Sequence, residues 1–370
     1  MSNSEKHIVI IGGSFAGITA AKTIFGHKNK SIRVTLISPS THAYYTVATP
    51  RLITEPEKIE QTIFPIEETL KKHSEGISYK FIHGKVEIAD FDKNLLTVEG
   101  ADGKLTVEYD FLVVASGCRT DNAAFRLLGD HKDTVDSIKK LNKSTKSAKK
   151  IIILGGGATG VETAGELGSL YGKEKDIILY TGLVGPLAPL GESKSKAATN
   201  KLTALGVKVI NNKRSTSFDE NGTRSKVIFK DGSSDDADVV IPAYGVTPNS
   251  EFLDKKFLDN NGYLKTDKYF RVEGHNNVLG LGDILSIGEN TLVNLSYVQK
   301  ATFESVVDLE FFGNKNSKLK PYSPIKTTIL VPISRNGGIG LMFGWSAPNF
   351  LVKFLKAKDF MIPKASEGLA

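Results

Sequence analysis

The chain has 370 residues, of which 40% are hydrophobic, and it carries a net charge of +7 at neutral pH. This length and composition predict a globular protein with two cores and a small third one. Its single cysteine, Cys118, excludes an internal disulfide and a two-cysteine redox centre, and the lack of an apolar run of about 18 residues excludes a membrane-spanning helix.

The basic charge suits anionic partners, namely pyridine nucleotides, anionic lipid or nucleic acid, with an ordinary solvated surface as the alternative. Lysines are not interleaved with aromatic residues, so nucleic acid is not favoured. Only six residues precede His7, so we expect no signal or transit peptide, and Ser2 stands where N-myristoylation requires glycine.

The first chemical motif is a glycine-rich loop between a strand and a helix. An apolar run at residues 7–11 predicts a buried parallel strand, and residues 18–24 predict a helix. Glycines permit a tight turn between them, and the helix N-terminus offers unpaired amides and a positive dipole end to a phosphate. The expected cofactor contacts in this loop are Gly12, Gly13, Ser14, Phe15, Ala16 and Gly17.

Ser14 occupies the middle glycine position of this loop. A glycine there normally lets the backbone approach the pyrophosphate closely, so the serine Cβ must be accommodated. We expect its hydroxyl to hydrogen-bond a phosphate.

A second strand, loop and helix follow at residues 150–167, with all three glycines in place. A single glycine-rich loop also occurs for packing reasons, but two in this context predict two dinucleotides and electron transfer between them. The expected contacts in the second loop are Gly155, Gly157, Ala158, Thr159 and Gly160.

Neither of the strands that follow these loops ends in the acidic residue that holds a ribose 2′-hydroxyl. Ser38 and Thr181 stand at those positions and are the expected contacts there. The missing acid removes an obstacle to NADPH, but no arginine lies beside Thr181 in the sequence to hold a 2′-phosphate. The sequence therefore favours neither nicotinamide nucleotide.

Several further segments have residues suited to a bound cofactor. Residues 42–51, which end in Arg51, suit a loop beside a flat ring, with surface packing as the alternative. Alternating segments at 79–82, 86–88 and 95–98 predict a small antiparallel insertion containing Val86. A buried strand at 109–117 ends in Ala115, Ser116 and Gly117, where small side chains allow close approach to a cofactor or make a plain tight turn.

The lysine- and serine-rich residues 139–150 predict a connection between domains. Residues 238–249 then repeat the strand-and-turn pattern, with Gly245 in the turn. The apolar run 277–281 closes with Gly282 and Asp283, whose carboxylate can accept hydrogen bonds from the hydroxyls of a ribityl chain. An isolated Gly-Asp pair is usually only a turn, but its place after two nucleotide loops indicates a flavin contact, and a helix is expected at 295–309.

Together these motifs resemble the two-dinucleotide-binding flavoproteins, a pyridine nucleotide-disulfide oxidoreductase-like superfamily. The similarity is to the apoptosis-inducing-factor-like branch that includes ferroptosis suppressor protein. It rests on the two loops, on Gly282-Asp283, and on the segments at 115–117, 271–278, 334–340 and 352–360.

This resemblance implies an α/β fold with two Rossmann-like domains, the second inserted in the first, and a small C-terminal α+β domain. The expected limits are 1–145 and 246–312 for the FAD-binding domain, 146–245 for the NAD(P)H-binding domain, and 313–370 for the C-terminal domain and tail. FAD is expected in the first loop, NAD(P)H in the second, and a ubiquinone-type quinone as acceptor.

The resemblance also implies two catalytic residues. Glu162 matches a glutamate near the nicotinamide and flavin, and Lys356 matches a tail lysine whose positive charge would stabilise a reduced flavin or a quinol oxyanion. The alternatives are that Glu162 stabilises the first turn of its helix and that Lys356 is a solvated charge. No metal site is expected.

Residues 349–358 predict a short basic amphipathic helix with Phe350, Leu351, Phe354 and Leu355 on one face. It could dip into a lipid surface that supplies the quinone, with Phe360 and Met361 as quinone contacts. Docking on the protein's own core or in a homodimer is the alternative.

The sequence thus predicts an FAD-dependent NAD(P)H:quinone oxidoreductase. The alternatives are an NADH oxidase that uses oxygen and a redox-responsive interaction protein. We expect a cytoplasmic location, with peripheral attachment to membranes or lipid droplets and mitochondrial association as further possibilities.

Overall fold

The computed structural model describes residues 5–27, 31–221, 224–289 and 291–369, and the prediction on Ser2 lies outside these ranges. In chain order the strands are β1 (Lys6–Ile11), β2 (Ile32–Ser38), β3 (His42–Tyr44), β4 (Ile63–Pro65), β5 (Ser78–Asp90), β6 (Leu95–Gly100), β7 (Gly103–Glu108), β8 (Phe111–Val114), β9 (Cys118–Arg119), β10 (Lys150–Leu154), β11 (Asp176–Tyr180), β12 (Val207–Ile210), β13 (Ser215–Asn221), β14 (Arg224–Phe229), β15 (Ser234–Ala237), β16 (Val239–Pro242), β17 (Thr247–Pro248), β18 (Arg271–Val272), β19 (His275–Gly280), β20 (Ile329–Pro332), β21 (Gly338–Met342) and β22 (Trp345–Ser346).

The helices, in the same order, are α1 (Phe15–Phe25), α2 (Thr49–Leu52), α3 (Ile66–Lys71), α4 (His131–Ser147), α5 (Ala158–Tyr171), α6 (Glu192–Ala204), α7 (Leu292–Asn294), α8 (Lys300–Glu310), α9 (Asn349–Val352) and α10 (Ala365–Leu369). A π-helical turn at Leu295–Gln299 joins α7 to α8, and another at Lys353–Ala357 extends α9. Among the described residues no helix combines the length and apolar character needed to cross a membrane.

An eight-stranded sheet in the order β18-β19-β8-β1-β2-β5-β6-β7 forms the first layer. Strand β1 lies parallel to both β2 and β8, and β19 lies parallel to β8. The apolar residues of β1 are almost entirely buried, as expected for a parallel strand covered on both faces. Because parallel strands end at one edge, the loops after β1, β8 and β19 meet there.

A four-stranded parallel sheet in the order β12-β11-β10-β16 forms the second unit. The loop after β10 and the turns after β11 and β16 lie together at the carboxyl edge of this sheet. The predicted α/β fold with two Rossmann-like units is therefore confirmed, and the structure adds several small sheets. The exact domain limits remain a prediction.

Two local predictions differ in part from the structure. The antiparallel arrangement predicted for 86–88 and 95–98 is confirmed, because β5, β6 and β7 pair antiparallel. Residues 79–82 belong to the same strand β5 but lie parallel to β2, so the three strands extend the large sheet. Residues 139–147 are the end of helix α4, which Asp130 caps by accepting a hydrogen bond from the backbone of Lys132. The buried side of α4 is largely polar, so it shows little apolar periodicity.

The C-terminal part packs directly on the second unit. Gly165 of α5 faces the segment after β20, where a Cβ on the glycine would lie 2.9 Å from Cα of Ile333. Gly165 therefore permits a close contact between α5 and the C-terminal strands.

Arg51 joins three parts of the chain. Its guanidinium is fully buried and contacts Glu166 of α5 through two hydrogen bonds, of 2.5 Å from Nε and 3.0 Å from Nη2. It also donates to the carbonyl oxygens of Ala357 and Lys358 in the tail, at 2.9 and 3.0 Å. The prediction of Arg51 as a cofactor contact was wrong, because these protein groups enclose the side chain.

We expect Arg51→Met to lower the free energy of unfolding by about 3–5 kcal/mol, because Glu166 would stay buried without its counter-charge. Urea denaturation of the two proteins measures the difference. Lys93→Ala removes an exposed pair with Asp90 and should leave stability unchanged. An Arg51→Met protein as stable as the wild type would show that this pair does not hold the parts together.

Candidate functional site

A cavity of about 610 Å³ lies at the edge where β1, β8 and β19 end. It brings together most residues predicted for the first cofactor, although they come from distant parts of the sequence. Those that line it are Gly12, Gly13, Ser14, Phe15, Ala16, Ser38, Val86, Ala115, Ser116, Gly117, Gly282 and Asp283.

The first loop is shaped for a phosphate. Gly12 has a left-handed φ of +107°, and a Cβ there would lie 2.3 Å from the carbonyl oxygen of Ala115. A Cβ on Gly17 would lie 1.8 Å from the carbonyl oxygen of Gly12, so Gly17 packs the loop on the helix and does not line the cavity. Ser14 precedes α1 without capping it through its side chain, which leaves the first-turn amides available to an anion.

Asp283 lies in the same cavity beside Arg126, whose Nη2 is 3.2 Å from a carboxylate oxygen. The backbone amide of Gly282 donates to Oε1 of Gln299 at 3.0 Å, which fixes this turn on the helix that follows. The carboxylate of Asp283 thus faces the cavity, and its contact with the hydroxyls of a ribityl chain remains a prediction.

Sequence reasoning missed two arginines of this cavity, Arg119 and Arg126. Arg119 donates to Oδ1 of Asn249 at 3.0 Å and also pairs with Glu251. Both arginines come shortly after strand β8 and the small-residue turn at 115–117, and this position was the sequence signal for a place in the cavity. The residues between the two arginines show no regular pattern, so the sequence analysis did not select them.

The loop at residues 42–47 forms another wall of the cavity, together with the start of α7. Tyr44 is buried, and its hydroxyl lies 2.6 Å from that of Thr49. Val47, Leu292 and Leu295 add apolar surface to the wall. The loop therefore lines the cavity, and its place beside a flat ring remains a prediction.

The second loop repeats the construction of the first. Gly155 has a φ of +119°, and a Cβ on Gly160 would lie 1.9 Å from the carbonyl oxygen of Gly155. Gly157 precedes α5, whose first residues are Ala158 and Thr159, and no side chain caps the helix. A Cβ on Gly157 would meet no atom within 4 Å, so the loop faces open space suited to a second pyrophosphate.

Two residues near the second loop, Thr181 and Gly245, were also predicted to contact the cofactor. Thr181 is fully buried, and its hydroxyl lies 2.7 Å from the carbonyl oxygen of Leu183 and 3.1 Å from Oδ1 of Asn211. It was wrongly predicted as a ribose contact, because the protein already occupies its hydroxyl. Gly245 is exposed at φ +72° in the segment that leads from β16 to β17.

Glu162 and Lys356 form a buried ion pair with 2.6 Å between Nζ and Oε1. The lysine also donates to the carbonyl oxygen of Leu330 at 3.1 Å. Burial raises the pKa of Glu162, and the nearby Lys356 lowers it in part. Lys356 is therefore paired with a carboxylate and is not the solvated charge of the alternative, and neither residue lines the cavity. The catalytic roles of both residues remain predictions.

The exposure of the tail side chains differs in part from the prediction. Phe360 is fully buried with its ring 5.0 Å from the Arg51 guanidinium, whereas Met361 is only half-buried. Their contact with a quinone remains a prediction. Four aromatic side chains of residues 343–354 are exposed, with Trp345 79% exposed and Phe350 70% exposed, and we refer to this set as the aromatic face. Its members are Phe343, Trp345, Phe350 and Phe354.

Comparisons with known proteins agree with this geometry. The profile of the pyridine nucleotide-disulphide oxidoreductase family matches residues 6–304. The oxidoreductase ptaL of Pestalotiopsis fici is 32% identical over 374 residues, covering 98% of this chain and 99% of the relative. Mouse ferroptosis suppressor protein 1 is 25% identical over 368 residues, covering 96% and 94%, which agrees with the branch that the sequence resembles.

Among solved structures, NDH2 from Plasmodium falciparum in complex with NADH superposes with a TM-score of 0.74. The alignment covers 99% of this chain and 97% of that one at 16% identity. This likeness concerns the fold.

We expect Cys118 to resist alkylation, because burial and the neighbouring Asp283 raise its pKa to about 11. At pH 8 only about one molecule in a thousand would carry the reactive thiolate. Mass spectrometry after iodoacetamide treatment should show little adduct at pH 8, more as the pH rises towards 11, and full reaction in guanidinium. Rapid stoichiometric labelling of the folded protein at pH 8 would contradict this expectation.

Proposed function

The chain belongs to the pyridine nucleotide-disulphide oxidoreductase family, and from this premise we propose that it is an FAD-dependent NAD(P)H:quinone oxidoreductase. Its cofactors are FAD and NAD(P)H. Electron transfer from a nicotinamide to a second acceptor is chemistry that the flavin supplies, while the protein binds and orients the groups.

The residues of the two loops have separate tasks in this proposal. The amides at the start of α1 and the carboxylate of Asp283 would hold the pyrophosphate and ribityl parts of FAD. The loop before α5, around Gly157, would hold the pyrophosphate of NAD(P)H. Holding both partners in fixed positions is the main contribution of the chain to the rate.

The acceptor must be a molecule outside the chain. Cys118 is the only cysteine of the sequence, so the two-cysteine exchange implied by the family's name has no counterpart here. It is also buried and has a raised pKa, which makes it a poor nucleophile.

The aromatic face is the observation that carries the choice of a quinone. Its residues lie within twelve positions of one another, and Phe354 is 67% exposed. On the other side of the same segment, Val352 and Ala357 are buried. Large apolar side chains grouped on the surface often mark a contact with a partner or a membrane.

Charge supports a lipid surface as that partner. Lys353 and Lys358 are exposed beside the aromatic face, as in short helices that lie on anionic membranes. In this proposal the cytoplasmic protein attaches peripherally to a membrane or lipid droplet, and an apolar quinone reaches it from the lipid. A homodimer that covers the same face is the competing explanation.

We expect the purified enzyme with NADPH or NADH to turn over a short-chain ubiquinone analogue much faster than it consumes oxygen. The comparison needs parallel anaerobic and aerobic assays with equal enzyme. Equal rates with oxygen alone would identify an oxidase instead. Negligible turnover with every acceptor would favour an interaction protein.

A variant that combines Trp345→Ser, Phe350→Ser and Phe354→Ser should bind anionic liposomes at least tenfold less tightly, since full burial of even one such side chain contributes roughly 1.5–3 kcal/mol. Turnover of a long-chain quinone in liposomes should fall with it, whereas turnover of the short-chain analogue should not. Flotation and steady-state assays measure these effects.

Leu170→Ser, at an exposed position on α5, is the matched control and should change neither assay. If the wild type does not float but is a dimer by light scattering, and the triple variant is a monomer, the aromatic face is a subunit interface. That result would contradict the lipid contact.

A further inference from the structure

The end of β11 is the place where a Rossmann unit distinguishes its nucleotides, because the ribose of the adenosine part lies there. We propose that Arg214 binds the 2′-phosphate of NADPH at this place and makes NADPH the preferred electron donor. This inference rests on the proposed function of the second loop.

The backbone brings Arg214 to the end of β11 although it lies more than thirty residues further along the chain. The amide of Asn212 donates to the carbonyl oxygen of Leu183 at 2.8 Å, and that of Lys213 donates to the carbonyl oxygen of Thr181 at 2.9 Å. Asn212 adopts a left-handed φ of +57°, which turns the chain back at this point. Residues 212–214 therefore run beside residues 181–183.

The side chain of Arg214 lies directly beside Gly182. A Cβ on Gly182 would be 3.7 Å from Cγ of Arg214 and 3.9 Å from its Cβ. The arginine is exposed, and its guanidinium makes no hydrogen bond or ion pair with the residues that the structure describes. Lys213, by contrast, already binds Asp231 and Ser233.

The charges around this position favour a phosphate. The segment from Thr181 to Gly191 contains no carboxylate that would accept a ribose 2′-hydroxyl or repel a phosphate. A guanidinium can bind phosphate oxygens through two parallel hydrogen bonds, which gives geometric selectivity as well as affinity. The absence of an arginine beside Thr181 in the sequence was therefore misleading, because the fold supplies one from the end of the next strand.

Removing Arg214 should not disturb the fold, because backbone groups hold its position. Besides the two contacts above, the carbonyl oxygen of Arg214 accepts a hydrogen bond from the amide of Lys230 at 2.8 Å. None of these bonds involves the guanidinium. Arg214→Ala thus tests the side chain alone, and circular dichroism and thermal unfolding should match the wild type.

The test is calorimetric titration of the FAD-loaded enzyme with 2′,5′-ADP and with 5′-ADP, which differ in the 2′-phosphate. We expect the wild type to bind 2′,5′-ADP about ten- to a hundredfold more tightly, with a preference that shrinks as ionic strength rises. Arg214→Ala should abolish the preference and leave the affinity for 5′-ADP unchanged. Arg214→Glu should reverse it.

Arg224→Ala is the matched control, since Arg224 is an exposed arginine of β14 that contacts the carbonyl oxygen of Asp236. It should keep the wild-type preference. Anaerobic flavin reduction provides a second readout, in which Arg214→Ala should lose rate with NADPH at low concentration but not with NADH.

Equal binding of the two compounds to the wild type, or an unchanged preference in Arg214→Ala, would overturn the inference. If the flavin is nevertheless reduced by NADH, the proposed function survives that result. If neither compound binds and neither nucleotide reduces the flavin, both the inference and the proposed function fail.

Discussion

Two buried glutamates on one helix hold the nucleotide-binding units and the tail in a fixed arrangement. Glu166 binds Arg51 of the first unit, and Glu162 binds Lys356 of the tail one helical turn away. Removing these charges from water is costly, so each pair is tolerated only with good geometry and further hydrogen bonds. Arg51 meets this condition through the tail carbonyl oxygens it contacts. The pairs therefore specify how the parts meet more than they add net stability.

The sequence revealed the parts of the site that depend on local backbone geometry. Both loops need glycines where a Cβ would strike a carbonyl group, as at Gly17 and Gly160, and such needs are visible as a pattern. Contacts made by folding were not visible. The pairing of Arg51 with Glu166 and the approach of Arg214 to Gly182 join residues far apart in the chain. Helix α4 was missed because polar residues fill much of its buried side.

The chain resembles the family most in its two glycine-rich loops. It resembles the family least in the group that receives electrons from the flavin. A single buried cysteine leaves no internal disulfide to reduce. The C-terminal part of the chain has two sides. Its inner side contacts Arg51 and Glu162, and its outer side exposes Trp345 and Phe350.

The most direct test of this account is anaerobic reduction of the purified protein, followed through its visible flavin absorption. The wild type should be yellow, contain one FAD per chain and lose its colour when NADPH is added. Gly160→Val places a side chain where a Cβ would already lie 1.9 Å from the carbonyl oxygen of Gly155, so only the second loop should close. That variant should keep FAD and be reduced by dithionite but not by NADPH. A wild type that takes up no FAD, or a variant reduced by NADPH as fast as the wild type, would contradict the account.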